Sequence, residues 1–532
     1  MTKTMRLPMA IVLTLGLLLG CSRDPQAQKL MFLNSGNSYF QQGKYREAAI
    51  QYLNVLKIDE RDGQAHYQLA ECYSRQGIWA DAYRELLITV SLQENNLEAK
   101  IELGNLLLSA RRFKDAQDYA QDVLIRDPNN VAGHILLANA YAALEDVEES
   151  LREMQTALQL APDQSQSYFN MALLQLNAKQ SAAAEQNFQK ALSLDPHSVP
   201  AYLALGNFYQ QQNRWAEAEQ QFRQAIQLQP KSPVPYGALA RLLVNQGKRA
   251  DAEQLLIQAK QAMPDISDGY RMLGDFYFLM QDLPHAVQEY ASLYAQHPKD
   301  DRVVKNYAQV LIYSKQLDRA TQLSDELLKR QPQDVDGLIL RGQIQHAQRR
   351  WDAAVVSFET AIKSDAKSPL AHYSLGLTLI SMGNTSRGIG ELREAARLQP
   401  GMTEAYKALA AVALRTGDMA ILREGADGLI AAQPRSPEGY LMRATASSRS
   451  GKLSSAEVDV SKAMLVAPED SRSIAGMGQL RFAQKRFADA TKLFEQALTK
   501  NPRDLQSLTG LAQIQLTLKN PVLAAGRVKE QI

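Results

Sequence analysis

Apolar side chains along this chain recur three and four residues apart, the spacing that places them on one face of a helix. Residues 199–232 show the pattern clearly: Tyr202, Leu205, Gly206 and Tyr209 share one helical face, and Ala218, Phe222 and Ala225 share another. Each such stretch predicts a pair of helices joined by a short turn, and the pair repeats with a fixed period. Prolines stand at 128, 162, 196, 230, 264, 298 and 332, and again at 400, 434, 468 and 502. Neighbours are 34 residues apart except across one double gap, where Ala366 takes the slot. Carried back, the grid reaches Glu94 and Glu60, so repeats begin at residue 29 and every 34 residues after it. Fourteen are complete, and a fifteenth, from 505, stops short.

The eighth residue of each repeat tests the grid. It reads Gly36, Ala70, Gly104, Ala138, Ala172, Gly206, Ala240, Gly274, Ala308, Gly342, Gly376, Ala410, Ala444, Gly478 and Ala512. A side chain larger than methyl there would push the two helices of a hairpin apart. The twentieth position makes the same point on the second helix, with Ala48, Ala82, Ala116, Ala184 and Ala218 among others. Gly at position fifteen (Gly43, Gly77, Gly247, Gly383, Gly417, Gly451) suits a left-handed helix end. The recurring proline disfavours helix in the residue before it and so ends the second helix.

A small residue at position 8, Ala at 20, an aromatic at 24 (Phe188, Phe222, Phe358, Phe494) and Pro at 32 together resemble the tetratricopeptide repeat. The resemblance covers residues 29–532. It implies an all-α solenoid, a right-handed superhelix of about fourteen and a half hairpins, whose first helices line a concave groove that binds proteins or extended peptides. The whole pattern, leader plus many repeats, is also similar in architecture to tetratricopeptide lipoproteins found with exosortase and exopolysaccharide systems.

The N-terminus carries an address. Lys3 and Arg6 form a basic start, and Leu7 to Leu19 an apolar run too short to span a membrane core comfortably. It leads into Leu18-Leu19-Gly20-Cys21, which resembles the bacterial lipobox. Residues 1–20 are then a lipoprotein signal peptide, Cys21 the lipidated first mature residue, and 21–28 a linker. Ser22 after the cysteine, in place of Asp, points to an outer-membrane lipoprotein facing the periplasm. The other cysteine, Cys72, sits among Leu69, Ala70 and Tyr73 and is expected as a buried, inert thiol with no disulfide partner.

Charge excludes one function class. The formal net charge is +2, and Lys3 and Arg6 account for it, since no Asp or Glu lies in residues 1–20. A mature chain of zero formal charge lacks the basic excess that nucleic-acid binding needs. Catalytic motifs are also missing: no HExxH, CxxC, GxSxG or Walker-type pattern occurs. Gly451-Lys452-Leu453-Ser454 falls at a repeat turn and lacks the upstream glycine of a phosphate loop. His66, His134 and His372 share position four with Tyr168, Tyr202, Tyr236 and Tyr270, and read as packing substitutes in different repeats, not as metal ligands. Neither an enzymatic activity, a metal nor a cofactor is therefore expected.

The array frays in two places. Gly388 and Gly390 in repeat eleven, with Leu422, Gly425 and Gly428 in repeat twelve, replace better helix formers. They suggest a joint between repeats one to eleven (residues 29–402) and repeats twelve to fifteen (403–532). The last helix reaches Ile532 without a polar cap, which suggests cover by a partner or self-association through the C-terminus.

Recognition is expected at the ninth position of the first helices, which should face the groove. There stand Asn37, Asn105, Asn139 and Asn207, then Asp275, Gln309 and Gln343. Carboxamides both donate and accept, so a spaced series can hold an extended peptide backbone. The expected function is a lipid-anchored scaffold recruiting proteins for envelope assembly, secretion or polysaccharide export. The rival is a permanent structural subunit of a pilus or secretion machine.

Overall fold

A computed structural model describes residues 24–523 and Gly526. The leader, Cys21 and the end of the last helix lie outside the described residues, and with them the signal, lipidation and C-terminal expectations. All regular elements among the described residues are helices, as the periodicity predicts. A typical repeat is a first helix of 13 residues and a second of 14, such as Val199–Gln211 and Trp215–Leu228. Three first helices depart from this, that of repeat twelve, Thr403–Thr416, only by having 14 residues. That of repeat eight is interrupted at Arg271, giving Ser267–Tyr270 and Met272–Leu279. That of repeat one starts early, at Pro25, so the linker expected over 21–28 is helical from that residue on. The Asp24 side chain accepts from the Gln26 N–H, and a proline at the first helical position is already set to a helical φ.

Turn chemistry explains the regularity. Position fifteen is left-handed in all fifteen repeats: at six glycines and also at Arg111, Glu145, Lys179, Asn213, Gln281, Lys315, Arg349, Lys485 and Lys519. The next N–H then bonds five residues back, as from Gln180 to the Gln175 carbonyl at 2.8 Å, and closes the first helix. The second helix ends in an extended residue, at Asp127 before Pro128 but equally at Asp365 before Ala366, so proline reinforces a stop that does not depend on it. The next first helix is commonly capped by Asp, Asn or Ser at position 34. The Asn130 side chain accepts from the Gly133 N–H at 2.9 Å, and Asp334 from Gly337 at 2.7 Å.

In six hairpins an aromatic at position 24 is the centre of the core. Tyr52, Phe188, Phe222, Tyr290 and Phe494 are fully buried. Where such a ring faces a Gly at position eight, it lies against the Cα: a methyl added to Gly206 would meet the Phe222 ring at 2.5 Å, and one on Gly342 the Phe358 ring at 2.5 Å. The glycines of the frayed stretch are also places of close approach. A methyl on Gly425 would lie 2.8 Å from the Tyr406 carbonyl oxygen, and one on Gly388 2.9 Å from that of Gly376. Gly390 has open space around it.

The chain forms two compact units, one up to Ala252 and one from Glu253, with the boundary inside the helix Arg249–Ala262. In the N-terminal unit the first helices Leu97–Ser109 and Val131–Ala143 touch, as do Val199–Gln211 and Pro233–Asn245. In the C-terminal unit Asp301–Tyr313, Val335–Ala347 and Pro369–Ser381 form one such row, and Pro437–Arg449, Ser471–Ala483 and Leu505–Thr517 another. Within each of these rows, successive first helices stand side by side and present a shared face.

Candidate peptide-binding face

That shared face carries the ninth-position residues, and the structure sorts them into three groups. Asn105 and Asn207 are exposed and Asn139 is half-buried, and among the described residues none of their side chains has a hydrogen-bond partner. The three remain available to a ligand.

Asn37 and Asp275 are already engaged. The buried Tyr52 hydroxyl donates to Asn37 Oδ1 at 2.8 Å and also contacts Gln68 Oε1 at 3.3 Å. The buried Tyr290 hydroxyl donates to Asp275, whose carboxylate also accepts from Asn306 Nδ2 at 3.0 Å and pairs with Arg271 at 3.5 Å. Both tyrosines occupy position 24, where most other repeats have Phe or an aliphatic residue. A phenol pushed into the core needs a partner, and the ninth residue supplies it. Burial and the Asp275 charge both raise the Tyr290 pKa, so it stays a neutral donor.

Gln309 and Gln343 line a cavity of about 680 Å³ bounded by repeats nine, ten and eleven. Gln343 Oε1 is buried and has no hydrogen-bond partner. The sequence marks both residues as groove amides, but it does not show the cavity, which exists only because three successive repeats stack.

Sequence reasoning also missed an acidic member of the series. Glu71 stands at the ninth position of repeat two, beside Glu102 of repeat three. Burial, then the neighbouring Glu71 carboxyl, pushes the Glu102 carboxyl up to about 8, while the Tyr67 hydroxyl donates to it at 3.1 Å. No group of three or more Cys, His, Asp or Glu side chains among the described residues is arranged to hold a metal ion.

The position-four histidines do more than fill space. Nδ1 of His66, His134 and His372 lies 2.5, 2.6 and 2.7 Å from Glu85, Glu153 and Glu391. Their Nε2 atoms lie 3.0, 3.0 and 3.3 Å from the carbonyl oxygens of Glu60, Pro128 and Ala366, at position 32 of the preceding repeat. Each ring thus ties one repeat to the next. The Tyr440 hydroxyl makes the equivalent bond to the Pro434 carbonyl at 3.2 Å. Cys72 is fully buried, and burial pushes its thiol up to about 12, so it has little thiolate character.

Comparison with known proteins finds the same kind of repeat. Family models described as TPR repeat or tetratricopeptide repeat match residues 36–77, 101–165, 175–225, 215–274, 308–369 and 476–528. Among curated proteins, mouse Superkiller complex protein 3 is 23% identical over 244 residues, a stretch covering 38% of this chain and only 16% of that protein. Among solved structures, MamA from Desulfovibrio magneticus RS-1 is 20% identical, covering 32% of this chain and 97% of its own, with a TM-score of 0.30. The APC/C hetero-tetramer Cut9-Hcn1 is 16% identical, covering 95% of this chain and 94% of its own, with a TM-score of 0.37.

Proposed function

The chain belongs to the tetratricopeptide-repeat family, and from that premise we propose that it is a lipid-anchored, protein-binding scaffold of a bacterial envelope, gathering partners for assembly, secretion or polysaccharide export. Repeats of this family are protein-interaction modules, and the shared face of the first helices is the surface offered here. One observation carries the proposal: Asn105, Asn139 and Asn207 stand on that face with carboxamides that no other described side chain uses. A spaced row of unsatisfied donor–acceptor groups fits an extended backbone better than it fits a sequence-reading pocket.

Replacing Asn105, Asn139 and Asn207 together by Ala tests this. Each lost contact costs about 0.5–1.5 kcal/mol, so partner capture should fall clearly while melting stays almost unchanged. Ala is the better helix former, so any drift in stability should be upward. A control triple at Gln186, Gln220 and Gln254, on second helices, should leave capture intact. Equal capture by both triples would overturn the ladder.

The anchor rests on the Lys3–Cys21 leader. Cys21→Ser should shift the protein from the membrane fraction to a soluble or unprocessed form. Unchanged fractionation would remove the envelope part of the proposal and leave the binding face untouched.

A further inference from the structure

Charge is distributed unevenly over the first helices, and one stretch of them has none. The chain is 22% Asp, Glu, Lys and Arg, yet Val131–Ala143, Ser165–Asn177 and Val199–Gln211, the first helices of repeats four, five and six, contain none of these residues. Other first helices are not built this way: Leu97–Ser109, Asp301–Tyr313 and Pro437–Arg449 carry three each. The region itself is not poor in charge. The second helix Val147–Leu160 carries Glu148, Glu149, Arg152 and Glu153, and Trp215–Leu228 carries Glu217, Glu219 and Arg223. The exclusion therefore belongs to the first helices, and it has ends. Glu98 and Glu102 precede it and Arg241 follows it, all within the N-terminal unit.

Positions five, nine and thirteen, four residues apart, share one side of each helix. Position five supplies Ile135, Phe169 and Leu203, all half-buried. Position nine sets Leu173, 38% exposed, between Asn139 and Asn207, and thirteen adds the exposed Asn177 and Gln211. The side chains of Asn177 and Gln211 also have no hydrogen-bond partner among the described residues. Charges on the neighbouring turns and second helices are spent inside the protein. Arg214 pairs with Glu185 at 2.7 Å and with Glu217, and Glu153 lies 2.6 Å from His134 Nδ1. A charged side chain of a ligand set down here loses hydration against Ile, Phe and Leu and meets no opposite charge in return. Unpaired amides beside aliphatic surface suit a peptide backbone whose own side chains are apolar or small. A neutral sugar chain is the poorer match, since Phe169 is the one aromatic face among these nine positions. Three helices about 10 Å apart span about 30 Å, the length of about nine extended residues. We propose that repeats four to six hold an extended peptide segment of that length with no charged side chain turned toward the helices. The proposal rests on the peptide-binding reading above and gives it a substrate class.

The test selects displayed random dodecapeptides on the full chain and sequences the captured pool. Asp, Glu, Lys and Arg should be depleted together over a run of about nine residues. The most enriched peptide is then synthesised, together with versions carrying Lys or Glu at the centre. Either charge should weaken binding about tenfold, and binding of the parent peptide should hold steady between about 0.05 and 0.5 M salt. Asn177→Lys and Asn207→Lys each place a cation at an exposed position of the face, and each should make the Glu peptide bind better than the parent. Melting is recorded to confirm folding. Captured peptides that keep charges at the input frequency would overturn the proposal, as would equal binding of the three synthetic peptides. So would a Glu peptide that neither Lys variant favours, or displacement of the parent by maltohexaose. Replacing Asn105, Asn139 and Asn207 by Ala separates this from the reading it rests on. Capture of charged peptides that the triple variant loses would leave the binding face standing and overturn the uncharged segment alone. No capture of any peptide would overturn both.

Discussion

Gly206 shows how tightly single residues are constrained in this array. The sequence shows that position eight must be small; the structure shows why it must sometimes be Gly. A methyl at Gly206 would sit 2.5 Å from the Phe222 ring, and the same holds, within a few tenths, for Gly36 against Tyr52 at 2.7 Å and Gly478 against Phe494 at 2.7 Å. Where the slot at 24 is Leu, position eight is Ala in repeats two and seven (Ala70 with Leu86, Ala240 with Leu256) but Gly in repeat eleven (Gly376 with Leu392), and Phe188 of repeat five stands with Ala172. At Gly206 and Phe222 the two positions share one volume. Gly206→Ala alone should cost about 1–3 kcal/mol through overpacking. Phe222→Leu alone leaves a void and also destabilises. The double substitution copies the Ala70–Leu86 pair and should cost less than the sum by about 0.5 kcal/mol or more. Denaturant unfolding of the four proteins measures this, and strict additivity would show that the ring and the glycine do not share their space. The same exchange of volume for polarity was legible at Asn37 and Asp275. Tyr52 and Tyr290 are the tyrosines of the aromatic slot, and a buried hydroxyl there predicts that the polar residue at nine is spent on it. Reading position nine in isolation hid that link.

At the scale of the helix pair, the sequence shows which faces are buried but not which polar groups meet between repeats. The small residue at position three was as readable as that at eight: Ala65, Ala99, Ala201, Ala371 and Ala405 are fully buried where one repeat joins the next. The ties from His66, His134 and His372 to the position-32 carbonyl of the preceding repeat were not readable, because those groups come together only when the hairpins stack. The Glu71–Glu102 contact between repeats two and three is of the same kind, and it makes stability depend on pH. Glu102 is pushed up to about 8 from an ordinary value of 4.5, so between those values the folded state holds a proton that the unfolded state has lost. Stability contributed by the protonated group is present in full below the unfolded value and declines as pH rises through 8. Glu102→Gln keeps the shape of the neutral acid. It should melt at a higher temperature than the native chain at pH about 8.5, with the gap closing as pH falls below about 4.5, where the carboxyl is protonated in both states. A gap that is constant with pH would mean that the Glu102 proton is not what differs between them.

On the scale of the whole molecule, a helical array differs from a compact domain in how far a perturbation spreads. Each hairpin packs on its sequence neighbours, and the helix-to-next contacts run in order along each unit. Stability is then close to a sum of repeat and interface terms, with no single core whose loss removes everything. This locality is why the fold was legible from a period of 34, whereas the cavity lined by Gln309 and Gln343, needing three stacked repeats, was not. It also sets a quantitative expectation for the C-terminal unit. Gly342→Leu forces a branched side chain into the space of the Phe358 ring, which already lies 2.5 Å from where a methyl would sit. The cost, about 1–3 kcal/mol, falls on repeats nine to eleven. Native-state hydrogen exchange should show amides of Asp301–Tyr313, Val335–Ala347 and Pro369–Ser381 opening more readily. Those of Pro437–Arg449 and Ser471–Ala483 should keep their protection, since two or more repeat interfaces separate them from the change. A uniform loss of protection along the unit would show that it unfolds as one cooperative body, and binding at distant repeats would then be coupled through folding itself. Graded loss, strongest at repeat ten, would mean that each stretch of the face can change its ligand preference without disturbing the next.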